Sequence, residues 1–204
     1  AQAVKNDDQK AFLDALNKAL FHLPSCSRAS MLLGEFHLEN KQFRLAADYY
    51  EAVLSQNVDY IGEVLDKIKH CYLTLNDLSG YELFLIKANQ VKQNPNVDLA
   101  LTQLIDEKDG KIAAQSKLYQ QLRQFPNMLT FHRFIYYQIN DAEEGSGKES
   151  LILLYNMVGE QIRKSFKYRC SNCGYQSYRL SWYCPSCRHW ETIKATHSIE
   201  PQSH

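Results

Sequence analysis

The 204-residue sequence predicts a mostly α-helical protein, an array of helical hairpins stacked as a solenoid, followed by a small β-rich module that holds a metal ion. Three observations lead to this prediction. Apolar residues recur with a helical period from residue 1 to residue 163, and the alternation typical of strands is nearly absent before residue 166. The helical part also repeats itself about every 34 residues. Four of the six cysteines form two Cys-x-x-Cys pairs towards the C-terminal end.

Composition and charge are those of an ordinary globular protein and give no global sign of nucleic-acid binding. Hydrophobic residues make up 45% of the chain and charged residues 23%, and 23 basic side chains balance 23 acidic ones. Residues 164–194 are an exception, with six basic residues against one acidic. No apolar run is long enough to predict a membrane span. The N-terminal residues lack the features of a signal peptide and read as the interior of a helical protein, so we expect a part of a longer protein.

The helical repeat is clearest in residues 33–54, LGEFHLENKQFRLAADYYEAVL. Leu33-Gly34 falls in a first helix, a polar turn follows, and Ala46 and Tyr50 fall in a second helix. This order resembles the tetratricopeptide pattern, although Ser30 stands where that pattern has a tryptophan. A small or apolar position late in the second helix recurs at intervals of 34 or 35 residues. Its members are Ala19, Val53, Ala88 and Leu122, and the residues three positions before them are Leu16, Tyr50, Leu85 and Tyr119.

Prolines and polar residues mark the ends of the repeated units. Pro24, Pro95 and Pro126 lie where one unit gives way to the next, because proline cannot continue a helix. Turns are predicted at residues 39–41, 76–77 and 109–110, and a last helix pair over residues 128–140 and 148–163. One helix pair cannot bury its apolar face alone, so the units are expected to stack into a solenoid that binds partner proteins. A non-repeating α-helical bundle is the alternative.

The clustered cysteines have the spacing of a tetrahedral metal site. Two Cys-x2-Cys pairs separated by ten residues bring four thiolates together, because each short turn directs both of its sulfurs to one side. Gly174 suits the positive φ that such a turn requires after its second cysteine. Two disulfides or a dithiol redox pair are the alternatives, but no βαβ unit is predicted beside the cysteines. The predicted metal ligands are Cys170, Cys173, Cys184 and Cys187.

A single metal ion would supply much of the stability of this module, because about 25 residues bury too little surface to fold alone. Zinc and iron both accept four thiolates in a tetrahedron, so the spacing leaves the metal open. Short strands are predicted over residues 166–169, 175–179, 181–183 and 190–194. Cys26 and Cys71 lie singly in helical patterns and are interpreted as small buried apolar residues.

Several stretches, taken in order, resemble a known family. CSNCGY followed by CPSC is similar to a rubredoxin-type metal site, and it follows tetratricopeptide-like helices. The stretches FHRFIYYQINDAEEGSGKESL, MVGEQIRKSFKYRC and CGYQSYRLSWYCPSCRHWETIK resemble the lipopolysaccharide assembly protein B (LapB or YciM) family of Gram-negative bacteria. The resemblance maps the family's metal-binding cysteines onto the four predicted ligands. We therefore expect helical repeats over residues 1–163, a rubredoxin-like metal-binding domain over residues 164–197 and a tail over residues 198–204.

The resemblance also implies a function. Members of the family carry an N-terminal membrane helix and act at the cytoplasmic side of the inner membrane, so this chain would be the C-terminal part without that helix. The implied role is that of a regulator of lipopolysaccharide synthesis, which promotes degradation of the deacetylase LpxC by the membrane protease FtsH. The implied partners are FtsH, LpxC, other lipopolysaccharide-synthesis or transport proteins, and a second copy of the protein in a homodimer.

Two features differ from true rubredoxins and argue against electron transfer. The gap between the cysteine pairs is only ten residues, and Arg188 stands where rubredoxins usually have glycine. A redox protein that cycles iron at the four cysteines remains an alternative, as does a zinc ribbon that binds nucleic acid through the basic residues of 164–194. The seven histidines are scattered and no catalytic signature is found, so no enzyme is predicted.

The aromatic residues of the module are too many for it to bury internally. They predict either a seam between the module and the helices or an exposed patch for a partner. The residues concerned are Tyr175, Tyr178, Trp182 and Trp190.

Overall fold

The structure is a computed structural model that describes residues 2–196, with side chains from residue 8 onward. Within these residues the chain forms nine α-helices, a short 3-10 turn at Val58–Tyr60 and three β-strands. The predicted fold class, helical hairpins followed by a small β-rich module with four neighbouring cysteines, is confirmed. The helices are α1 Gln2–His22, α2 Ser27–Glu39, α3 Phe43–Gln56, α4 Ile61–Thr74, α5 Leu78–Val91, α6 Pro95–Asp109, α7 Lys111–Gln124, α8 Met128–Asp141 and α9 Ser146–Lys164; the strands are β1 Tyr168–Cys170, β2 Gln176–Ser177 and β3 Ile193–Ala195.

The chain divides into two compact units, Ala1–Lys92 and Gln93–His204. The first unit contains α1 to α5, and the second contains α6 to α9 together with the three strands. The helices of the described residues include none that is both long and apolar enough to cross a membrane. The last four helices and the four-cysteine module therefore belong to one unit.

The hairpin of α2 and α3 is packed around a glycine. Tyr50 of α3 is fully buried, and its ring lies against Gly34 of α2, where an added Cβ would come within 2.5 Å of the ring. Only a residue without a side chain allows the two helices to approach so closely. The Leu33-Gly34 pair of the repeat pattern thus has a packing role, and Leu33 is itself fully buried.

Short polar side chains fix where three of the helices begin. Asp77, Asn94 and Asn127 each accept a hydrogen bond from a backbone N–H two or three residues later, at 2.8, 2.9 and 2.9 Å. Such caps satisfy backbone donors that have no partner inside the helix. Pro95 follows one of them as the first residue of α6, where a missing N–H does no harm. The turn predicted at residues 76–77 is therefore confirmed, and a new helix begins at Pro95, where one repeat was predicted to give way to the next.

The helical core of the second unit joins α6, α7 and α8. Ala114 and Leu118 of α7 are buried against Tyr137 of α8. The hydroxyl of Tyr137 donates a hydrogen bond of 2.6 Å to the carboxylate of Asp106 in α6. Burial, followed by this hydrogen bond, raises the pKa of Tyr137 to about 12, so the hydroxyl stays protonated as the donor.

The buried residues of α7 are shifted by one position along the sequence from the predicted repeat. Gly110 alone, with φ of 85°, joins α6 to α7, whereas three residues join α2 to α3 and α4 to α5. The starts of α3, α5 and α7, at residues 43, 78 and 111, are consequently 35 and then 33 residues apart. Besides Ala114, the buried residues of α7 are Leu118 and Gln121, which are 0% and 4% exposed, whereas Tyr119 is 54% exposed. The predicted repeat register at Tyr119 and Leu122 is thus wrong by one residue.

The three strands form an antiparallel sheet in the order β2-β1-β3. In the centre of the sheet, Arg169 lies opposite Gln176 on one side and opposite Lys194 on the other. Each strand is shorter than predicted, and β1 and β3 each end one residue later than predicted. Of residues 181–183, Tyr183 makes a single bridge, to Trp190.

The two cysteines outside the cluster differ in burial. Cys71 of α4 is fully buried, as expected, and burial raises the pKa of its thiol. Cys26 is half-buried and lies at the N-cap position of α2. The expectation that Cys26 is a buried residue inside a helix is therefore wrong, because α1 ends at His22 and the chain turns before α2 begins.

Candidate metal centre

Two turns of the same construction carry the four cysteines, and we call them the first knuckle (residues 170–175) and the second knuckle (residues 184–189). In the first, the backbone N–H of Gly174 donates to the carbonyl of Cys170 at 2.9 Å, and in the second Arg188 donates to Cys184 at 2.9 Å. In both knuckles, the N–H of the first cysteine donates to the carbonyl five residues later, at 2.7 and 2.9 Å. The same two backbone hydrogen bonds therefore hold each Cys-x-x-Cys pair in the same turn conformation.

The sulfurs of the two knuckles converge on one point. All four predicted ligands lie together, with their Sγ atoms within 4.8 Å of one another. Sγ of Cys170 is 3.6 Å from that of Cys187, and Sγ of Cys173 is 3.7 Å from that of Cys184. A tetrahedron with metal–sulfur bonds of about 2.3 Å has edges of about 3.8 Å, whereas a disulfide bond is about 2.05 Å long. The spacing therefore fits four thiolates on one ion and does not fit disulfides.

The site is half enclosed by the module. Cys170 and Cys184 are 2% and 0% exposed, and they form a buried cluster with Ile193 of β3. Cys173 is exposed and Cys187 is half-buried. One side of the four-sulfur centre thus faces the interior of the module and the other faces solvent.

Hydrogen bonds and burial shift the pKa values of three of the cysteine thiols in different directions. Burial opposes ionisation of Cys170, but its hydrogen bond with the Thr192 hydroxyl and those from N–H groups of the first knuckle outweigh burial and lower its pKa. Burial raises the pKa of Cys184. A hydrogen bond from the Asn172 side chain, together with a backbone N–H, lowers the pKa of Cys187. A cation among the sulfurs would favour the thiolate form at all four, which is the chemistry that four-cysteine metal sites use.

Sequence reasoning missed two residues that support the cysteines. The Thr192 hydroxyl lies 3.2 Å from Sγ of Cys170. The side chain of Asn172 in the first knuckle contacts His189 of the second, with 3.3 Å between Nδ2 and Nδ1, and so connects the knuckles. His189 Nδ1 also lies 2.8 Å from the carbonyl oxygen of Cys187, and its ring is exposed. A polar residue between two paired cysteines was a usable signal for Asn172, but nothing in the sequence singles out Thr192.

The module's aromatic residues divide between the two predicted arrangements. The hydroxyl of Tyr178 donates to the backbone carbonyl of Lys164, the last residue of α9, at 3.2 Å. The ring of Tyr178 also lies 4.5 Å from that of Phe166, centroid to centroid. By contrast, Tyr175 is 40% exposed and Trp190 is 62% exposed. A contact with the end of the helical part is therefore seen for Tyr178, while other aromatics face solvent.

Comparison with known families agrees with this geometry. Residues 168–195 match a family described as a rubredoxin metal binding domain. The match begins with β1, includes both knuckles and ends with β3. The module is accordingly a zinc-ribbon domain with a four-cysteine metal-binding site.

Two curated relatives resemble nearly the whole chain. Lipopolysaccharide assembly protein B of Haemophilus influenzae is 56% identical over 185 residues, which are 91% of this chain and 47% of that protein. Lipopolysaccharide assembly protein B of Escherichia coli K12 is 34% identical over 199 residues, which are 98% of this chain and 51% of that protein. The chain thus spans about half the length of the relatives it matches. With the helical hairpins, the two knuckles and these similarities together, the chain belongs to the lipopolysaccharide assembly protein B family.

Proposed function

We propose that the chain is a non-catalytic adaptor in lipopolysaccharide assembly, in which helical hairpins bind partner proteins and a metal-clamped module supports that binding. One observation carries the proposal. The four sulfurs have tetrahedral spacing, and they lie in a module that directly follows the last helix. The relatives are named for the assembly of lipopolysaccharide, and their names describe no chemical reaction. That agrees with the expectation that the protein is not an enzyme.

In this proposal the metal is structural. Cys170, Cys173, Cys184 and Cys187 each supply one thiolate to a single zinc or iron ion. The Sγ separations of 3.6 and 3.7 Å support this assignment, because little movement is needed to reach tetrahedral geometry. When bound, the ion cross-links the two knuckles and so replaces the core that such a small module lacks. We take the helical repeats as residues 1–163, the metal-binding domain as residues 164–197 and the tail as residues 198–204.

The proposed partners are proteins of lipopolysaccharide synthesis at the cytoplasmic side of the inner membrane. By family resemblance, the adaptor brings the deacetylase LpxC to the membrane protease FtsH and so promotes its degradation. The arrangement of parts supports a binding role. Helical-hairpin repeats offer long surfaces made of side chains from successive helices, and such surfaces suit the recognition of other proteins.

Recovery of partners from native membranes tests this function. The tagged protein is compared with Cys184→Ser, which removes one of the four predicted ligands, and with Cys26→Ser, which changes a cysteine outside the site. FtsH, LpxC and lipopolysaccharide-synthesis proteins are expected with the unchanged protein and with Cys26→Ser, and at much lower yield with Cys184→Ser. Recovery of none of these proteins with the unchanged protein would overturn the proposed function. Equal recovery with all three would show that binding does not depend on the metal-clamped module.

A further inference from the structure

Helix α7 carries an aromatic side chain on its surface. Leu118 is buried at the position that Tyr50 occupies in α3 and Leu85 in α5, whereas the next residue, Tyr119, is 54% exposed. Because Leu118 takes the core position instead, Tyr119 and the half-buried Leu122 lie on one side of α7, outside the core. The residues at the same distance from the helix start in α3 and α5 are Glu51 and Ile86, so of these three helices α7 alone has an aromatic side chain at this position.

The exposed face of α7 forms a pocket with the start of α8. The pocket has a volume of about 310 Å³ and lies within the second unit. This volume is at the small end of ligand sites, which are about 300–1,000 Å³, so it suits one or two side chains. Its walls are mainly aromatic and aliphatic, with Tyr119, Leu122 and Arg123 from α7, Asn127 at the connection, and Phe131 and Phe134 from α8.

The polar groups of the pocket specify what it can bind. Asn127 has both ends of its amide occupied, since its oxygen accepts from the N–H of Thr130 at 2.9 Å and its nitrogen donates to the carbonyl of Phe125 at 3.1 Å. Asn127 therefore does not need a hydrogen bond from a ligand. Among the lining residues, Arg123 alone carries a charge. Its guanidinium lies 6.0 Å from the centre of the Tyr119 ring, and it forms no ion pair with another residue of the described chain.

We propose that this pocket binds a partner peptide that inserts one large apolar side chain and places an acidic residue beside Arg123. An aromatic-lined pocket suits an apolar anchor, which is the kind of side chain that dominates binding energy at protein interfaces. The arginine at the rim complements a carboxylate, which it can hold through two parallel hydrogen bonds. The inference deepens the adaptor role proposed above and rests on it.

The peptide specificity is tested with a library of random decapeptides selected on the whole protein. Selection on the unchanged protein is expected to enrich peptides that have Phe, Leu, Trp or Met next to Asp or Glu. Arg123→Glu is expected to remove the preference for acidic residues and to weaken the best acidic peptide about tenfold or more. Tyr119→Ser is expected to lose the enrichment for large apolar side chains. Ile112→Ser is the matched control, because Ile112 is on the same helix, is 84% exposed and does not line the pocket.

Several results would overturn the proposal. These are no enrichment with the unchanged protein, enrichment unchanged by Arg123→Glu and Tyr119→Ser, or equal losses with Ile112→Ser. Concentration-dependent dimerisation that Tyr119→Ser abolishes would assign the pocket to a second copy of the chain, because Tyr119 lines the pocket. Recovery of lipopolysaccharide-synthesis proteins is measured for the same variants. If Arg123→Glu and Tyr119→Ser recover them normally, the pocket inference fails while the adaptor function stands.

Discussion

Gly174 and Arg188 occupy equivalent positions in the two knuckles, and both have positive φ, 78° and 61°. Each donates its backbone N–H to the carbonyl of the first cysteine of its own knuckle. Glycine adopts this conformation without a steric cost, whereas a residue with a side chain is strained there by about 1–2 kcal/mol. The second knuckle thus keeps the geometry of the first despite an arginine at the strained position.

Substitution at these two positions should have opposite effects on the stability of the module. Arg188→Gly is expected to stabilise the module by about 0.5–1 kcal/mol, the relief of strain being offset in part by the greater freedom of glycine in the unfolded chain. Gly174→Ala is expected to destabilise it by about 1 kcal/mol, because it introduces the strain that Arg188 already has. Tryptophan fluorescence during unfolding reports on the module, since both tryptophans lie at positions 182 and 190. Stabilisation by Gly174→Ala would contradict the argument.

The contact between Gly34 and Tyr50 predicts a large effect of one methyl group. In Gly34→Ala the new Cβ would lie 2.5 Å from a ring that is completely buried, so the helices must move apart. Overpacking of this kind typically costs about 1–3 kcal/mol. The control is Gly147→Ala in α9, where an added Cβ meets nothing within 4 Å and alanine favours the helix. Urea unfolding followed by circular dichroism at 222 nm compares the two, and an equal stability of both variants would refute the packing role of Gly34.

His132 of α8 should make the stability of the protein depend on pH. Burial, followed by the charges of Arg133 and Arg163, lowers the pKa of His132 in the folded protein. Its ring is stacked on the ring of Tyr155 in α9, with 3.9 Å between the ring centroids. In the unfolded chain His132 has its ordinary pKa of about 6.5 and binds a proton more readily than in the folded protein. The neutral ring of His132 therefore contributes its full stabilisation of the folded protein above that pH. This stabilisation is lost as the pH falls below it.

His132→Phe keeps a flat ring beside Tyr155 but cannot be protonated. The free energy of unfolding is measured by urea denaturation at pH 7 and pH 5 for the unchanged protein and this variant. A smaller loss of stability between the two pH values is expected for His132→Phe. Other groups, including the cysteines, titrate equally in both proteins, so an identical loss would show that His132 does not carry the effect.

Removal of the metal should unfold the module before the helices. Chelation is expected to shift the tryptophan emission to longer wavelength, because the knuckles lose the cross-link that holds them. The helical signal is expected to remain largely intact, since the buried cluster of Ala114, Leu118 and Tyr137 is built from helices alone. Loss of both signals at the same chelator concentration would instead show that a seam through Tyr178 couples the module to the helices.

The cysteine site was predictable from the sequence because its geometry is local. Each pair of ligands is only three residues apart, so the turn alone directs both sulfurs, and Gly174 signals the positive φ. Support from Thr192 depends on where β3 pairs with β1, which the spacing of the cysteines does not determine. Asn172 contacts His189 only once the knuckles have come together.

The presence of helical hairpins was predictable from the sequence, but the buried positions of α7 were not. Helical periodicity identified the hairpins, because amphipathic helices keep one face apolar over several turns. The number of residues between helix starts falls from 35 to 33 at the single-residue connection of Gly110, so the core position that Tyr50 and Leu85 occupy in their helices falls on Leu118 in α7. A repeat pattern that counts only small and apolar residues could not distinguish Leu118 from Tyr119.

The most direct test of the account is the coordination of the metal in the protein purified from its native host. X-ray absorption spectroscopy at the edge of the metal found by elemental analysis gives the number and type of ligands. One metal ion per chain is expected, surrounded by four sulfur atoms at about 2.3 Å. A protein with no stoichiometric metal, or a metal bound by fewer than four sulfurs, would contradict the claim that the four cysteines hold one ion.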